Sequence, residues 1–346
     1  MSELSQLKFP AIYSQLAKDF IGTITQGSAI NFSITAGFEL LHIPSNILQN
    51  PDAHLNGDQM CLLLNFGQII ATKETPFSLQ ILQHFKEDTL GMLGLAIINA
   101  DDAEQALMLF QKYAEFFIPG FDFVLDYDKK NLNIEILPLA NFKRNESILV
   151  ELVFCAFDFY TKRSGFDTQG EYFFSHDVSA YKNQLEQQFE CPVHSLSPVS
   201  KIRISRLALK QKVKNPNSSM QAFYIAQLNI EKINNEQQSN MSFQAKRIMH
   251  QQAKQGKFLN RDQLADLLSC SHRTLTRKLK LEGVSFQGLL DDVRFSMAKQ
   301  MLCKSNKSTK QIANHLGISS PAVFCRAFKK WSGITPSEYR TSIRPI

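Results

Sequence analysis

The last hundred residues of this chain contain the same pattern twice, and this duplication restricts the possible folds more than any other feature. The segment RDQLADLLSCSHRTLTRKLKLEG starts at Arg261, and STKQIANHLGISSPAVFCRAFKKWSG follows about 48 residues later. In both, apolar residues recur at helical spacing on either side of a short polar turn. Two short helices around a tight turn, the second of them basic, are typical of a helix-turn-helix. We therefore predict an all-α C-terminal domain with helix-turn-helix units at 261–282 and 309–332.

Each unit divides into a core face, a turn and an outward face. The predicted core residues are Leu264, Ala265, Leu268, Leu275 and Leu279 in the first unit, and Ile312, Ala313, Leu316, Phe324 and Phe328 in the second. In the first unit a break at Ser269–Cys270 precedes Ser271, a good N-cap, and Gly283 ends the second helix. In the second unit Gly317 is predicted to turn the chain and Ser319 to cap the next helix.

A longer helix is predicted between the two units, over the segment DDVRFSMAKQMLC. This helix would hold the units at a fixed separation. Two recognition helices spaced rigidly in this way can enter successive turns of the DNA major groove, which lie roughly 34 Å apart. A single unit is weak evidence because short helix pairs are common, whereas a duplicated unit in a basic domain strongly indicates double-stranded DNA as the partner.

The distribution of charge agrees with this interpretation. From Asn240 to Ile346 there are 19 Lys and Arg against 6 Asp and Glu, a net charge of +13. The preceding residues hold 19 Lys and Arg against 26 Asp and Glu, a net of −7, so the overall +6 conceals a strongly basic C-terminal part. A basic domain joined to a mildly acidic one is typical of nucleic-acid-binding proteins, although two soluble domains with uneven surface charge would give the same numbers.

The residues before this domain predict a mixture of helices and strands. Residues 11–115 have mainly helical patterns; Asp101–Asp102 is a predicted cap in front of the helical segment AEQALMLFQKYAEFF. Two alternating segments, FDFVLDYD and NLNIEILP, flank Lys129 and Lys130 and indicate a β-hairpin. A helix is predicted from Ile148 to Tyr160, and EYFFSH and KIRIS are short strand candidates. We therefore predict an α+β N-terminal sensing domain.

The junction between the domains is predicted from a change in composition. A helix between Ser218 and Ile233 places Phe223, Ala226 and Ile230 on one face with Ile233, where they either pack on their own domain or pair two subunits. The following INNEQQSNMSFQ is rich in Asn, Gln and Ser. We therefore place an effector or regulatory domain at 1–233, a linker at 234–243 and the DNA-binding domain at 244–346.

Several other functional classes lack their usual signatures. The sequence has no G-x-x-x-x-G-K-[ST], H-E-x-x-H or G-x-S-x-G motif, and the adjacent acids Asp101–Asp102 and Asp291–Asp292 are better explained as helix caps and first-turn charges. An active site assembled from distant residues would instead be revealed by a titratable cluster in a cleft. The six cysteines include no C-x-x-C pair, so we expect no metal and no cofactor.

The N-terminal segment MSELSQLKFPAIYSQLAKDF lacks the long apolar run of a signal peptide, and no uncharged apolar stretch reaches the roughly 18 residues of a membrane helix. We therefore expect a cytoplasmic protein that does not contact membranes and is nucleoid-associated when bound to DNA.

At this point the residues resemble those of a known family. The segment LADLLSCSHRTLTRKLKLEGVSFQGLLDDVRFSMAKQML, followed by IANHLGISSPAVFCRAFKKWSGITPSEYR, is similar to the DNA-binding domain of AraC/XylS transcription regulators over about 100 residues. Its signposts include Arg294, Gly317 and the closing Gly333-Ile334-Thr335-Pro336. More loosely, LGMLGLAIINADDAEQALMLFQKYAEFF and FSHDVSAYKNQLEQQFECPVHS resemble the N-terminal effector domain of ornithine-utilisation-type regulators.

The resemblance implies a sequence-specific DNA-binding regulator of transcription that activates by recruiting RNA polymerase, and it implies which side chains reach the DNA. In the first unit Arg273, Thr276 and Arg277 match the base-reading positions, and Ser271, His272 and Lys280 are better placed for phosphates. His272 could equally be a solvated surface histidine. The second unit contributes Ser319, Pro321, Ala322, Cys325, Arg326, Lys329 and Lys330. Since Pro321, Ala322 and Cys325 bind poorly through hydrogen bonds, we expect this unit to hold phosphates and touch thymine methyl groups.

The role of the N-terminal domain stays open at this stage. Its phenylalanines are either ordinary core or the lining of an apolar cavity for a hydrophobic or amphipathic small-molecule effector. These phenylalanines are Phe110, Phe116, Phe117, Phe121, Phe123, Phe154, Phe157 and Phe159. A protein partner, or an architectural DNA-binding protein without an effector, is the alternative. A homodimer is compatible with either, since an effector could shift domain arrangement or dimerisation.

Overall fold

The structure is a computed structural model and describes residues 4–25, 38–39, 41–44, 47, 53–167, 170–238, 241–304 and 307–343. The chain forms two compact units, Ser2–Glu236 and Gln237–Ile346. The division falls inside the segment 234–243 that we predicted to be a linker. This segment is largely helical, because the last helix of the first unit continues to Gln238 and the next begins at Met241.

The first unit combines helices with a mixed sheet. Its helices are α1 Ile12–Thr25, α2 Gly57–Ile70, α3 Phe77–Leu82, α4 Gly91–Ile98, α5 Ala103–Phe117, α6 Glu146–Ser164, α7 Lys182–Phe189 and α8 Ser218–Gln238. Its strands are β1 Lys8–Pro10, β2 His54–Asn56, β3 Phe121–Tyr127, β4 Asn131–Pro138, β5 Glu171–Phe173, β6 Val193–His194 and β7 Lys201–Ser205. Short 3-10 turns lie at Leu4–Gln6, Lys143–Asn145 and Arg206–Lys210. The α+β prediction is confirmed.

The main sheet has the order β3-β4-β7-β5-β6, and β1 pairs separately with β2. The predicted hairpin is present: β3 and β4 pair antiparallel, with Phe121 opposite Pro138. Strand β4 lies between β3 and β7, and its residues 132–137 are buried on both faces of the sheet. Helices α5 and α6 cover one face through the ring pairs Phe110–Phe123 and Phe154–Tyr172, whose centroids are 4.8 and 5.4 Å apart.

Three short strands and one helix were not predicted. Strands β1, β2 and β6 have two or three residues each, which is too short for a period-two pattern to register. Helix α7 lies in a segment with few apolar residues and buries Leu185 and Phe189. The predicted cap of α5 is correct, because the Asp102 carboxylate accepts a hydrogen bond from the Gln105 amide.

Helix α8 packs on its own unit through a different face from the one we predicted. Leu228 is buried, and the Tyr113 hydroxyl donates to the Asn229 side chain at 2.7 Å. Phe223 and Ile230 of the predicted stripe are instead 53% and 52% exposed. The side chain of Ile233 lies outside the described residues. The prediction that this stripe packs against its own domain is therefore wrong, since the buried face of α8 is centred on Leu228.

Among its described residues, the second unit consists of helices joined by short turns. Its helices are α9 Met241–Lys254, α10 Arg261–Leu267, α11 His272–Leu281, α12 Phe286–Lys304, α13 Thr309–His315, α14 Pro321–Ser332 and α15 Pro336–Ile343. The predicted core residues of both repeats form one buried cluster, with Leu268 packed at its edge. Glu282 fixes the start of α9, since its carboxylate accepts from the Met241 and Ser242 amides at 2.8 and 2.7 Å.

Candidate nucleic-acid interface

The first helix-turn-helix is formed by α10 and α11. Helix α10 starts with a capping box, in which the Asn260 and Gln263 side chains each accept from the other residue's amide. The turn then closes with a hydrogen bond from the Cys270 amide to the Ala265 carbonyl at 3.0 Å. Ser269 reverses the chain in the left-handed region, at φ 51°. Ser271 caps α11 as predicted, accepting from the Thr274 amide.

The second helix-turn-helix, α13 and α14, repeats these devices. Ser308 and Gln311 form the same capping box, and the Ile318 amide donates to the Ala313 carbonyl at 2.9 Å. Gly317 takes the position of Ser269 with φ 62°, a conformation that glycine adopts without steric cost. The duplication predicted from sequence therefore extends to the hydrogen bonds of the turn.

One residue of the second turn was assigned wrongly. The N-cap of α14 is Ser320, whose hydroxyl accepts from the Val323 amide, and not Ser319. The second turn is one residue longer than the first, so Ser320 and not Ser319 matches Ser271. The fixed φ of Pro321 favours the first helical position, which leaves the cap to the residue before it.

Helix α11 presents the predicted DNA-reading side chains on one surface. Ser271, His272, Arg273, Thr276, Arg277 and Lys280 are all exposed, whereas Leu275 and Leu279 are buried. Lys278 is exposed as well, and α11 contains no acidic residue. This helix is therefore a cationic surface anchored by two leucines.

His272 is accompanied by a side chain that sequence reasoning missed. The Arg261 guanidinium lies 3.3 Å from Nε2 of His272 and over the ring of Phe286, 5.4 Å from its centroid. Arg261 belongs to α10 but stands at the edge of the α11 surface. Its position at the start of the first repeat was visible in the sequence, although its contact with His272 depends on how the helices pack.

Helix α14 presents a mixed surface. Ser319, Ala322, Arg326, Lys329 and Lys330 are exposed, whereas Pro321 and Cys325 are half-buried. Cys325 packs against the edge of the core cluster. The cations of α14 begin at its sixth residue, Arg326, and its first turn is apolar. This distribution differs from that of α11, which carries cations along its whole length.

Arg294 of α12 connects the long helix to the second turn. Its guanidinium donates from Nε to the Leu316 carbonyl at 3.0 Å and from Nη2 to the Gly317 carbonyl at 3.2 Å. It also lies over the Phe258 ring, 5.6 Å from its centroid. Partial burial lowers the pKa of the guanidinium. Arg294, a signpost of the family resemblance, therefore holds the turn and is not directed at a ligand.

A buried polar cluster in the first unit bears on the question of an active site. The Glu151 carboxylate accepts from the Ser78 hydroxyl through Oε2 at 2.6 Å and from the Tyr181 hydroxyl through Oε1 at 2.7 Å. His176 Nε2 lies 2.9 Å from the same Oε1. Burial, with the Glu151 carboxylate second, raises the pKa of the Tyr181 hydroxyl. Ser78 is directed at the carboxylate and not at His176, so this is no nucleophile–base pair. The cluster joins α3 and α6 to the segment after β5.

The described parts of the chain contain neither a metal-binding cluster nor a membrane-spanning helix. Within these parts, no group of three or more His, Cys, Asp or Glu side chains is arranged to hold a metal ion. No helix in the same ranges is long and apolar enough to cross a membrane.

Two helix-turn-helix units on one buried core, each with an exposed second helix, define a DNA-binding protein. Residues 264–342 match the family model described as a helix-turn-helix domain. Residues 33–213, more than half of the chain, match the model described as the N-terminal arabinose-binding domain of AraC transcription regulator. The chain belongs to the AraC family of transcription regulators, as the sequence resemblance implied.

Two named relatives of similar sequence are transcription regulators, in agreement with this assignment. The chain is 25% identical over 347 residues to the ornithine utilization regulator of Pseudomonas aeruginosa, and the match covers 96% of each protein. It is 33% identical over 171 residues to the urease operon transcriptional activator of Escherichia coli, covering 44% of this chain and 56% of that protein. The crystal structure of transcriptional regulator CdpR from Pseudomonas aeruginosa shares 16% identity at a TM-score of 0.46, over 95% of this chain and 98% of that one.

Proposed function

We propose that this regulator activates a few promoters in response to an effector, by binding promoter DNA with α11 and α14. The observation that carries the proposal is the duplicated pair of helices, in which the buried side chains form one core and the cationic side chains are exposed. In this proposal 1–233 is the effector domain, 234–243 joins the domains, and 244–346 binds DNA.

Base reading is assigned mainly to the first unit. Arginine can donate two hydrogen bonds to O6 and N7 of guanine, which suits Arg273 and Arg277, and Thr276 can bond a base edge or touch a thymine methyl group. Ser271, His272 and Lys280 are assigned to phosphates. Arg261, whose guanidinium lies 3.3 Å from Nε2 of His272, stands beside this phosphate-binding edge.

The second unit is assigned to anchoring. Arg326, Lys329 and Lys330 are exposed in the part of α14 where cations can reach phosphates. Pro321, Ala322 and Cys325 offer apolar contacts to thymine methyl groups, and exposed Ser319 is next to the helix start, where a phosphate can bind. A scan of single base substitutions across an operator should find fewer penalised positions in the half bound by α14. Equal penalties in both halves would contradict this division of labour.

Further parts of the proposal rest on the family and on the names of its relatives. Because the named relatives include a transcriptional activator, we assign activation by recruitment of RNA polymerase. We propose that the protein acts in the cytoplasm, at the nucleoid when bound to DNA, and that it is not an enzyme. Its partners would be double-stranded promoter DNA, RNA polymerase and a small-molecule effector. We propose no contact with a membrane.

We propose that two copies of the chain form a homodimer by pairing through the exposed face of α8. Met220, Phe223 and Ile230 are 41%, 53% and 52% exposed, which is unusual for large apolar side chains at helical spacing. We expect the full chain to sediment as a dimer and Ile230→Glu to sediment as a monomer, with exposed Leu196→Glu as the control. A monomeric unmodified protein would contradict this part of the proposal.

The function is tested by genome-wide capture of DNA fragments with the purified full chain, with and without an extract of cell metabolites. Recovery of a few promoters that share a motif about two helical turns long is the expected result. A change in occupancy with the extract would support an effector. Uniform, salt-sensitive retention of all fragments would instead indicate an architectural protein and overturn the claim of specificity.

A further inference from the structure

Glu282 connects the end of α11 to the segment that joins the two domains. It is the C-cap residue of α11, where its backbone amide donates to the Lys278 carbonyl. Its side chain bonds to another helix: Oε1 accepts from the Met241 amide at 2.8 Å, and Oε2 accepts from the Ser242 amide at 2.7 Å. Met241 and Ser242 are the first two residues of α9 and belong to the segment 234–243 that we assign as the linker. One carboxylate therefore bonds the linker to the end of α11.

These two hydrogen bonds are of a strong kind. The first amides of a helix have no carbonyl partner within the helix, and a carboxylate at this end is also favoured by the helix dipole. For the Met241 and Ser242 amides the acceptor comes from a different helix, and both of its oxygens are used. Met241 and Ser242 are only 9% and 3% exposed, so water competes little for the carboxylate. The start of α9 is consequently fixed to the end of α11.

The rest of α9 packs on the same core as α11. Met249 of α9 belongs to the buried cluster that contains Leu275 and Leu279, the two anchors of α11. Lys246 of α9 also reaches α12, since its Nζ lies 3.2 Å from Oδ2 of Asp292. Because a close-packed interior transmits displacement, a shift at the start of α9 has to move the end of α11 or break both bonds to the carboxylate.

We propose that Glu282 is the positioning residue through which the linker is coupled to the base-reading side chains of α11. Arg277 lies five residues before Glu282, so fixing the end of the helix also sets the direction in which this arginine enters the groove. The coupling rests on the proposed function, which takes α11 as the reading helix. Coupling between two sites is reciprocal. If the linker acts on α11 through Glu282, DNA bound to α11 must in turn stabilise the bonds of Glu282 to the linker.

Glu282→Gln in the full chain tests this coupling, because glutamine keeps the shape of the side chain but replaces one acceptor oxygen with an NH2 donor. One of the two amides of α9 then faces a donor. Hydrogen–deuterium exchange at Met241 and Ser242, followed by mass spectrometry, should become about tenfold faster, since bonds to an ionised acceptor are among the stronger hydrogen bonds. Asp266→Asn removes the same charge from an exposed position of α10 and should leave this exchange unchanged.

A duplex that carries a promoter recovered by capture provides the second measurement. In the unmodified chain and in Asp266→Asn, this duplex should slow exchange at Met241 and Ser242 about fivefold, whereas in Glu282→Gln it should have no effect. Discrimination between the promoter and a scrambled duplex should fall about tenfold in Glu282→Gln, because the base-reading side chains are displaced. The salt slope should stay the same, since the phosphate-binding cations remain. A role in stability alone would lower the affinity for both duplexes alike and leave the effect of DNA on exchange intact.

Unchanged exchange in Glu282→Gln without DNA, an undiminished effect of DNA on its exchange, or equal losses for the two duplexes would overturn the coupling. Met241→Pro covers the case in which Glu282→Gln does not fold, since it removes one amide donor at the first helical position, where proline is tolerated. It should also lower discrimination, and unchanged discrimination would overturn the coupling. If the unmodified chain binds both duplexes equally, the proposed function fails, and exchange without DNA still decides whether Glu282 holds the start of α9.

Discussion

Some side chains in the C-terminal unit support the candidate DNA-binding surface from below, and others are exposed on it. Arg294 and Arg277 are both arginines, but only Arg277 is directed to solvent. Arg294 donates two hydrogen bonds to carbonyls of the second turn, where a lysine could not reproduce the geometry of the planar guanidinium. Residue type therefore identifies cations, and packing decides which of them are available to DNA.

Arg294→Ala should destabilise the C-terminal unit by about 2 kcal/mol, since hydrogen bonds from a charged donor contribute roughly 1.5–3 kcal/mol. Urea unfolding monitored by Trp331 measures this effect, because the single tryptophan of the chain lies in this unit. Exposed Lys310→Ala is the control and should unfold like the unmodified protein. Equal stability of all three proteins would show that the contacts of Arg294 contribute nothing.

Arg273→Ala or Arg277→Ala should reduce discrimination at one operator base by about 1–3 kcal/mol. Lys329→Ala should weaken binding to all sequences alike and lower the salt slope by about 1, because a phosphate contact carries no base information. Binding titrations on an operator and on its single-base variants measure both effects. A base-selective loss for Lys329→Ala would contradict its assignment to the backbone.

At the scale of the elements, local sequence signals were strong where a helix has caps. Helices α5 and α11 begin where Asp102 and Ser271 predicted, and the hairpin of β3 and β4 flanks Lys129 and Lys130 as expected. Caps and turns act within four residues, so the sequence contains the whole signal. Strands β1 and β2 pair residues more than forty positions apart, and no local pattern of three residues can specify this.

The cap of α14 provides a matched test at this scale. Ser320→Ala should cost about 0.5–2 kcal/mol, because the Val323 amide loses its side-chain partner. Ser319→Ala, one residue earlier, removes no cap and should leave the unfolding free energy almost unchanged. The same urea experiment applies, since Trp331 is itself part of α14. A larger effect at Ser319 than at Ser320 would restore the assignment made from sequence.

At the scale of the whole molecule, charge is segregated by domain. The net charge is +13 from Asn240 onwards and −7 before it, so association with DNA should depend on the C-terminal unit. The acidic N-terminal part disfavours non-specific contact of that domain with phosphates.

The affinity for promoter DNA should fall steeply with salt. If Lys280, Arg326, Lys329 and Lys330 each neutralise one phosphate, the slope of log K against log salt should be about −4. Binding titrations at several salt concentrations measure this slope. A slope near zero would remove the phosphate contacts from the proposal, whereas a steeper one would point to added cations such as Arg261.

The sequence by itself determined the duplicated helix-turn-helix, its core residues and its exposed cations, because helical periodicity, caps and composition are local properties. Only the tertiary structure decided the pairing of β1 with β2, the exposed face of α8 and the role of Arg294. Each of these depends on residues distant along the chain that meet only when the elements pack. The N-cap at Ser320 is intermediate between local and tertiary information. Alignment of the two repeats suggested Ser319, but the second turn is one residue longer than the first and moves the cap to Ser320.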